Sequence, residues 1–108
     1  MAITRQFRET VMERAQNDRR YREAMLTEAI NELLGGDLEA GKAMLRDYVN
    51  ATITFDGLAK ELRKPSKSLQ RMLGPSGNPT AESIFGIIKV LQESEHVQLQ
   101  VRAAKKAA

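Results

Sequence analysis

The side chains best placed to do chemistry in this chain are cations. Between Lys60 and Arg71 stand five basic residues (Lys60, Arg63, Lys64, Lys67, Arg71) against the single acid Glu61, a local excess of four positive charges. Ser66, Lys67, Gln70 and Arg71 fall at positions i, i+1, i+4 and i+5, which on a helix form one face. That face carries hydrogen-bond donors and positive charge together, a combination suited to a phosphate backbone and to the edges of bases. Arg71 or Lys67 can donate to guanine O6 and N7, Gln70 can pair with adenine N6 and N7, and Ser66 can meet a base or a phosphate.

Such a face must be held by something. The local order Leu58, Ala59, Leu62, then Leu69 and Met72, predicts two short helices whose apolar sides meet, with the small Ala59 at the crossing. The first runs from Thr54, whose hydroxyl suits an N-cap, to about Arg63. The second runs from about Pro65 to Leu73, with Ser66 to Leu73 as the outward-reading segment. Helices this short are not stable alone and need flanking helices. The flanks supply them. Helical spacing covers about Thr4 to Gln16 through Phe7, Val11, Met12 and Ala15. Asp18 then caps a second helix carrying Tyr21, Met25, Leu26, Ala29, Ile30, Leu33 and Leu34, which should stop in a left-handed turn at Gly35-Gly36. Asp37 caps a third helix ending near Asn50. After the Gly74–Pro79 loop, Thr80 caps a last helix with Ile84, Phe85, Ile87, Ile88, Val90 and Leu91 toward the core. Beyond His96 the alternation of Val97, Leu99 and Val101 with polar residues has the period of a strand. The expectation is an all-α bundle of five or six helices. It comprises an N-terminal helical arm over 1–36, a helix-turn-helix unit over 37–96, and a short C-terminal strand with a basic tail over 97–108.

Composition narrows the function classes. The 108 residues include no cysteine, which removes disulfides and thiolate metal sites, and one histidine. His96 lacks an orienting partner or a metal set in any recognisable motif and reads as a surface or capping residue, so neither an enzyme nor a bound metal or cofactor is expected. Glu9 with Glu13 and Glu28 with Glu32 are spaced i, i+4, but no histidine accompanies them as in di-metal helices. No apolar run approaches the roughly 20 residues of a membrane span and no secretory leader is recognisable, so the expected location is the cytoplasm. The net charge is only +3. Residues 1–35 balance six arginines against six acids, so the arm carries no field to match a strongly charged partner.

The stretch Thr54-Phe-Asp-Gly-Leu-Ala-Lys-Glu-Leu, followed by Pro-Ser-Lys-Ser-Leu-Gln-Arg-Met-Leu and by Gly-Asn-Pro-Thr, resembles the helix-turn-helix of the phage-repressor (Xre-like) superfamily. The segment from Lys67 to Thr80 resembles the HigA-type antitoxins, also called addiction-module antidote proteins. The resemblance spans roughly Asp37 to Gln92. It implies base reading by Ser66, Lys67, Gln70 and Arg71, and phosphate contacts by Thr54, Lys64, Asn78 and Thr80. It also implies a protein that neutralises a small toxin of the RelE/ParE-like (HigB) class and represses its own operon. The family turn usually carries a glycine where Arg63 stands. A left-handed backbone there would cost about 1 kcal/mol relative to glycine, so a distorted or lengthened turn is expected. Phe7, Val11, Tyr21 and Met25 are the residues with which the arm would mask a toxin, unless its apolar stripe only packs on the core. Val97, Leu99 and Val101 would pair with a twin in a two-fold dimer or with a toxin sheet edge, and a frayed tail is the other reading. A dimer would present its reading helices about 34 Å apart to palindromic double-stranded DNA. A stand-alone phage-like regulator without a toxin, and a helical adaptor that binds no nucleic acid, remain as alternatives.

Overall fold

A computed structural model describes residues 5–107 and contains six α-helices: α1 (Arg5–Asn17), α2 (Arg19–Leu34), α3 (Leu38–Ala51), α4 (Thr54–Leu62), α5 (Ser66–Met72) and α6 (Ala81–Glu95). The boundaries follow from side chains that satisfy free backbone groups at helix ends. Asp18 Oδ1 accepts from Tyr21 N at 3.2 Å, Asp37 Oδ1 from Ala40 N at 3.0 Å, and Thr80 Oγ1 from Ser83 N at 3.1 Å. Thr54 Oγ1 accepts from Gly57 N at 3.2 Å at the start of α4. Between α2 and α3 it is Gly36, at φ 87°, that takes the left-handed step, while Gly35 stays right-handed. His96 closes α6 in the left-handed conformation (φ 59°, ψ 42°), the capping role its position foretold.

One core runs through five of the six helices. Leu26 and Ala29 of α2, Leu45, Tyr48 and Val49 of α3, Phe55 and Leu58 of α4, Leu69 of α5, and Ile84, Ile87, Ile88 and Leu91 of α6 are all buried in it, with Leu73 just beyond α5. Each fully buried aliphatic side chain contributes about 1.5–3 kcal/mol. At Gly41 a Cβ would lie 2.4 Å from Leu33 Cδ2, so the glycine lets α2 and α3 approach closely. α1 is joined to this core through Ala15, which is fully buried, and through polar contacts. Arg22 Nη1 donates to the carbonyls of Ala15 and Gln16 near the end of α1 at 3.1 and 3.4 Å. The same guanidinium donates to both oxygens of Glu95 on α6, from Nε at 2.9 and 3.2 Å and from Nη2 at 3.2 Å. Tyr48 on α3 donates its hydroxyl to Glu95 Oε1 at 2.5 Å.

Two expectations are corrected. Residues Val97, Leu99 and Val101 form no strand, and among the described residues there is no strand at all. The backbone folds back on α6 instead: Val97 N donates to the Gln92 carbonyl at 3.0 Å and Leu99 N to Gln92 Oε1 at 2.8 Å. Leu99 packs against the core while Val101 is exposed. The backbone groups that a strand partner would have satisfied are thereby partly taken up within the chain, and the expected dimer strand is withdrawn. Phe85, expected to face the core, is exposed along with Leu34. Among the described residues no helix is long and apolar enough to cross a membrane.

Candidate nucleic-acid interface

α4 and α5 are joined by three residues, Arg63, Lys64 and Pro65. Arg63 adopts the left-handed conformation that the glycine of a tight turn would take (φ 54°, ψ 45°), and Lys64 N donates to the Ala59 carbonyl at 3.2 Å. The turn is therefore short and regular, and the expected distortion is absent; Arg63 carries the backbone cost instead. Pro65 lies just outside α5 in an extended conformation (φ −62°, ψ 136°), not in its first turn, and its carbonyl accepts from Ser68 N and Leu69 N.

From this turn α5 presents Lys67, Gln70 and Arg71 to solvent, with Ser66 half-buried at its start and Leu69 turned into the core. Gln70 Nε2 donates to Ser66 Oγ at 3.0 Å, which fixes one end of the amide. Among the described residues none of Lys60, Arg63, Lys64, Lys67 and Arg71 is paired with a carboxylate; the ion pairs lie elsewhere. These exposed cations therefore enter no ion pair among the described residues.

A cleft of about 440 Å³ opens beside α5 and brings Gln70 together with Thr54, along with Arg46, Asn50, Asp56 and Pro75. Thr54 sits at its edge at φ 69°, a backbone conformation that β-branched residues rarely adopt and that costs about 1–3 kcal/mol. Lys64 stands in the turn, and Asn78 and Thr80 belong to the loop before α6; all three are exposed and none of them lines this cleft. The Thr80 hydroxyl is engaged with Ser83, accepting from its backbone N–H and donating to its Oγ at 3.0 Å. Arg46 and Asn50 were missed by sequence reasoning. Lys42 was missed too, although its signal was present: it interrupts the apolar stripe of α3 four residues after Leu38 and three before Leu45. Its ammonium donates to the Gly74 and Gly77 carbonyls at 3.0 and 2.6 Å, and Arg46 Nη1 donates to the Leu73 carbonyl at 2.7 Å.

The perturbed ionisable groups lie away from this face. Burial pushes Glu95 up, but the hydrogen bonds from Arg22 and Tyr48 outweigh it, so its carboxyl sits below the usual carboxylate range. Burial, then the bond to Glu95, drives the Tyr48 phenol well above its ordinary value. The bond to Glu95 raises Arg22 further. These groups join α2, α3 and α6, as a structural ion pair does. Among the described residues no cluster of three or more His, Asp or Glu could hold a metal ion.

Of the arm residues, Phe7 is exposed, Val11 half-buried, and Met25 packs against the core. The Tyr21 ring lies 4.6 Å beneath the Arg14 guanidinium. A second, more apolar groove of about 380 Å³ runs between α2, α6 and the C-terminal segment, lined by Ile30, Leu34, Phe85, Leu99 and Val101 among others.

Compared with protein-family models, with curated proteins and with solved structures, the chain matches none of them.

Proposed function

We propose that this chain is a sequence-specific DNA-binding protein that reads the major groove with α5. The observation that carries this reading is the outer face of α5, where Lys67, Gln70 and Arg71 stand exposed and the cations have no carboxylate partner, on a short helix following a three-residue turn. In this reading the two helices α4 and α5 form a helix-turn-helix of the Xre-like kind. Lys67 and Arg71 donate to guanine edges, and Gln70, its amide nitrogen keyed to Ser66, meets adenine. Thr54, Lys64, Asn78 and Thr80 meet phosphates on either side. The resemblance to HigA-type antitoxins extends the proposal to a cytoplasmic homodimer that also neutralises a RelE/ParE-like toxin and represses its own operon. The stand-alone regulator is the second reading. It is favoured by the arm, where Met25 packs on the core and Tyr21 is covered by Arg14, leaving less apolar surface for a toxin.

Fluorescence anisotropy of a duplex from upstream of the protein's own gene, against a scrambled duplex at two salt concentrations, tests the proposal. The expected result is a preference of about 100-fold or more for the native duplex, with Lys67→Ala or Arg71→Ala each costing about 1–3 kcal/mol. Equal, weak binding to both duplexes would reduce the face to a general electrostatic surface. Two protomers per duplex, on half-sites a whole number of turns apart, are expected of the dimer. Co-expression with a neighbouring small reading frame separates the two regulators: growth arrest relieved by this protein supports the antitoxin, and its absence supports the stand-alone regulator.

A further inference from the structure

α5 has seven residues and no side-chain cap at its N-terminus, so its own hydrogen bonds do not fix where it points. Its far end is fixed from behind. Lys42 on α3 is 1% exposed; its ammonium donates to the Gly74 and Gly77 carbonyls and forms an ion pair with Glu39, 2.9 Å from Oε1. One turn later on the same helix, Arg46 holds the Leu73 carbonyl. Two cations from one helix thus grip three carbonyls just beyond the end of α5. The loop they hold is folded tightly onto that end, since a Cβ on Gly77 would fall 2.2 Å from the Arg71 carbonyl oxygen. Burying an ammonium is unfavourable, and an apolar side chain of similar size would fill the same space without that desolvation cost. What an apolar side chain cannot do is fix the distance between α3 and these carbonyls.

We propose that Lys42, seconded by Arg46, is a positioning residue for DNA recognition: it sets the axial position and rotation of α5 and, through the 74–77 loop, the place of Asn78 beside it. The inference rests on base reading by α5. Discrimination between bases needs side chains held to about half an ångström, whereas attraction to phosphates tolerates more. Loss of the clamp therefore lowers sequence preference more than it lowers general affinity.

The test measures the ratio of dissociation constants for the native and scrambled duplexes in the full chain. Lys42→Met is expected to keep the salt dependence and the affinity for scrambled DNA while its preference for the native duplex falls at least tenfold. Because the chain has no cysteine, Lys42→Cys can be aminoethylated while unfolded and then refolded, which restores an ammonium at almost the native reach. Recovery of the preference is expected on aminoethylation and not with the unmodified cysteine. Arg46→Met, at a less buried position, serves if the Lys42 variants do not fold, and is expected to lose part of the same preference. Leu26→Val, in the core on α2, controls for loss of stability and is expected to leave the preference intact. An unchanged ratio in Lys42→Met or, where that variant does not fold, in Arg46→Met would overturn the positioning role while leaving base reading in place. An equal loss with Leu26→Val, or failure of aminoethylation to restore the ratio, would do the same. Absence of any preference in the unaltered protein would overturn base reading itself, and the positioning role with it.

Discussion

Both halves of α3 meet buried charge, the N-terminal half its own and the C-terminal half that of other helices. Toward the C-terminal end, Tyr48 meets Glu95, which in turn holds Arg22: a carboxylate between a guanidinium and a phenol, with the charges cancelling among three long helices. Toward the N-terminal end, Lys42 is set against two carbonyls and a glutamate that is itself 65% exposed, so its charge is met partly by dipoles and partly by an acid in water. The long helices already share an apolar core, and the first network adds to a union that exists without it. The short helix α5 commits one buried apolar residue, Leu69, to that core, with Leu73 just after it. The difference teaches that where apolar surface runs short, buried polar groups fix geometry more than they add stability.

That contrast can be broken most directly by Glu95→Ala. It leaves Arg22 and Tyr48 without their acceptor, and the expected loss is about 3 kcal/mol in urea unfolding. Lys42→Met leaves the Gly77 carbonyl without a donor but keeps the packing, so a smaller loss of about 1–2 kcal/mol is expected. Equal losses, or the reverse order, would erase the distinction between the two ends. The second effect is pH dependence. Glu95 is held below its unfolded value, so its contribution is fully present above the unfolded glutamate range near about pH 4.3 and is lost as pH falls through the lower folded value. Acid unfolding of the unaltered chain should therefore carry a component that Glu95→Gln lacks; identical acid profiles would place the network's strength elsewhere. The smallest effect is expected at the near end of α5. Arg63→Gly relieves a left-handed arginine and should stabilise by up to about 1 kcal/mol, a rise of a few degrees in Tm. If α5 is held from its far end, DNA preference is unaltered by this change.

The parts of the molecule legible in the sequence were those decided by near neighbours. Asp18, Asp37, Thr54 and Thr80 were readable as caps because each meets an amide three residues away. The outward set Lys67, Gln70 and Arg71 was readable because a single buried residue, Leu69, fixes which side of α5 faces in. The strand over 97–101 was misread because alternation of Val97, Leu99 and Val101 says nothing of the partner, and the Gln92 side chain competes for the same backbone. Phe85 was misread because an apolar stripe wider than its groove leaves one edge in water. Lys42 was visible as an interruption of a stripe, but its acceptors lie 32 and 35 residues away, beyond what spacing reveals.

The side chains that face outward from α5 make none of the contacts that hold it in place. Leu69 and Leu73 anchor it from the core, and Lys42 and Arg46 grip its far end through backbone carbonyls, which every residue type possesses. Substitutions at Lys67, Gln70 and Arg71 therefore shift stability by about 0.5 kcal/mol or less. On the proposed reading, such a protein can change what it recognises one residue at a time without passing through an unfolded intermediate, so selection on recognition is separated from selection on folding.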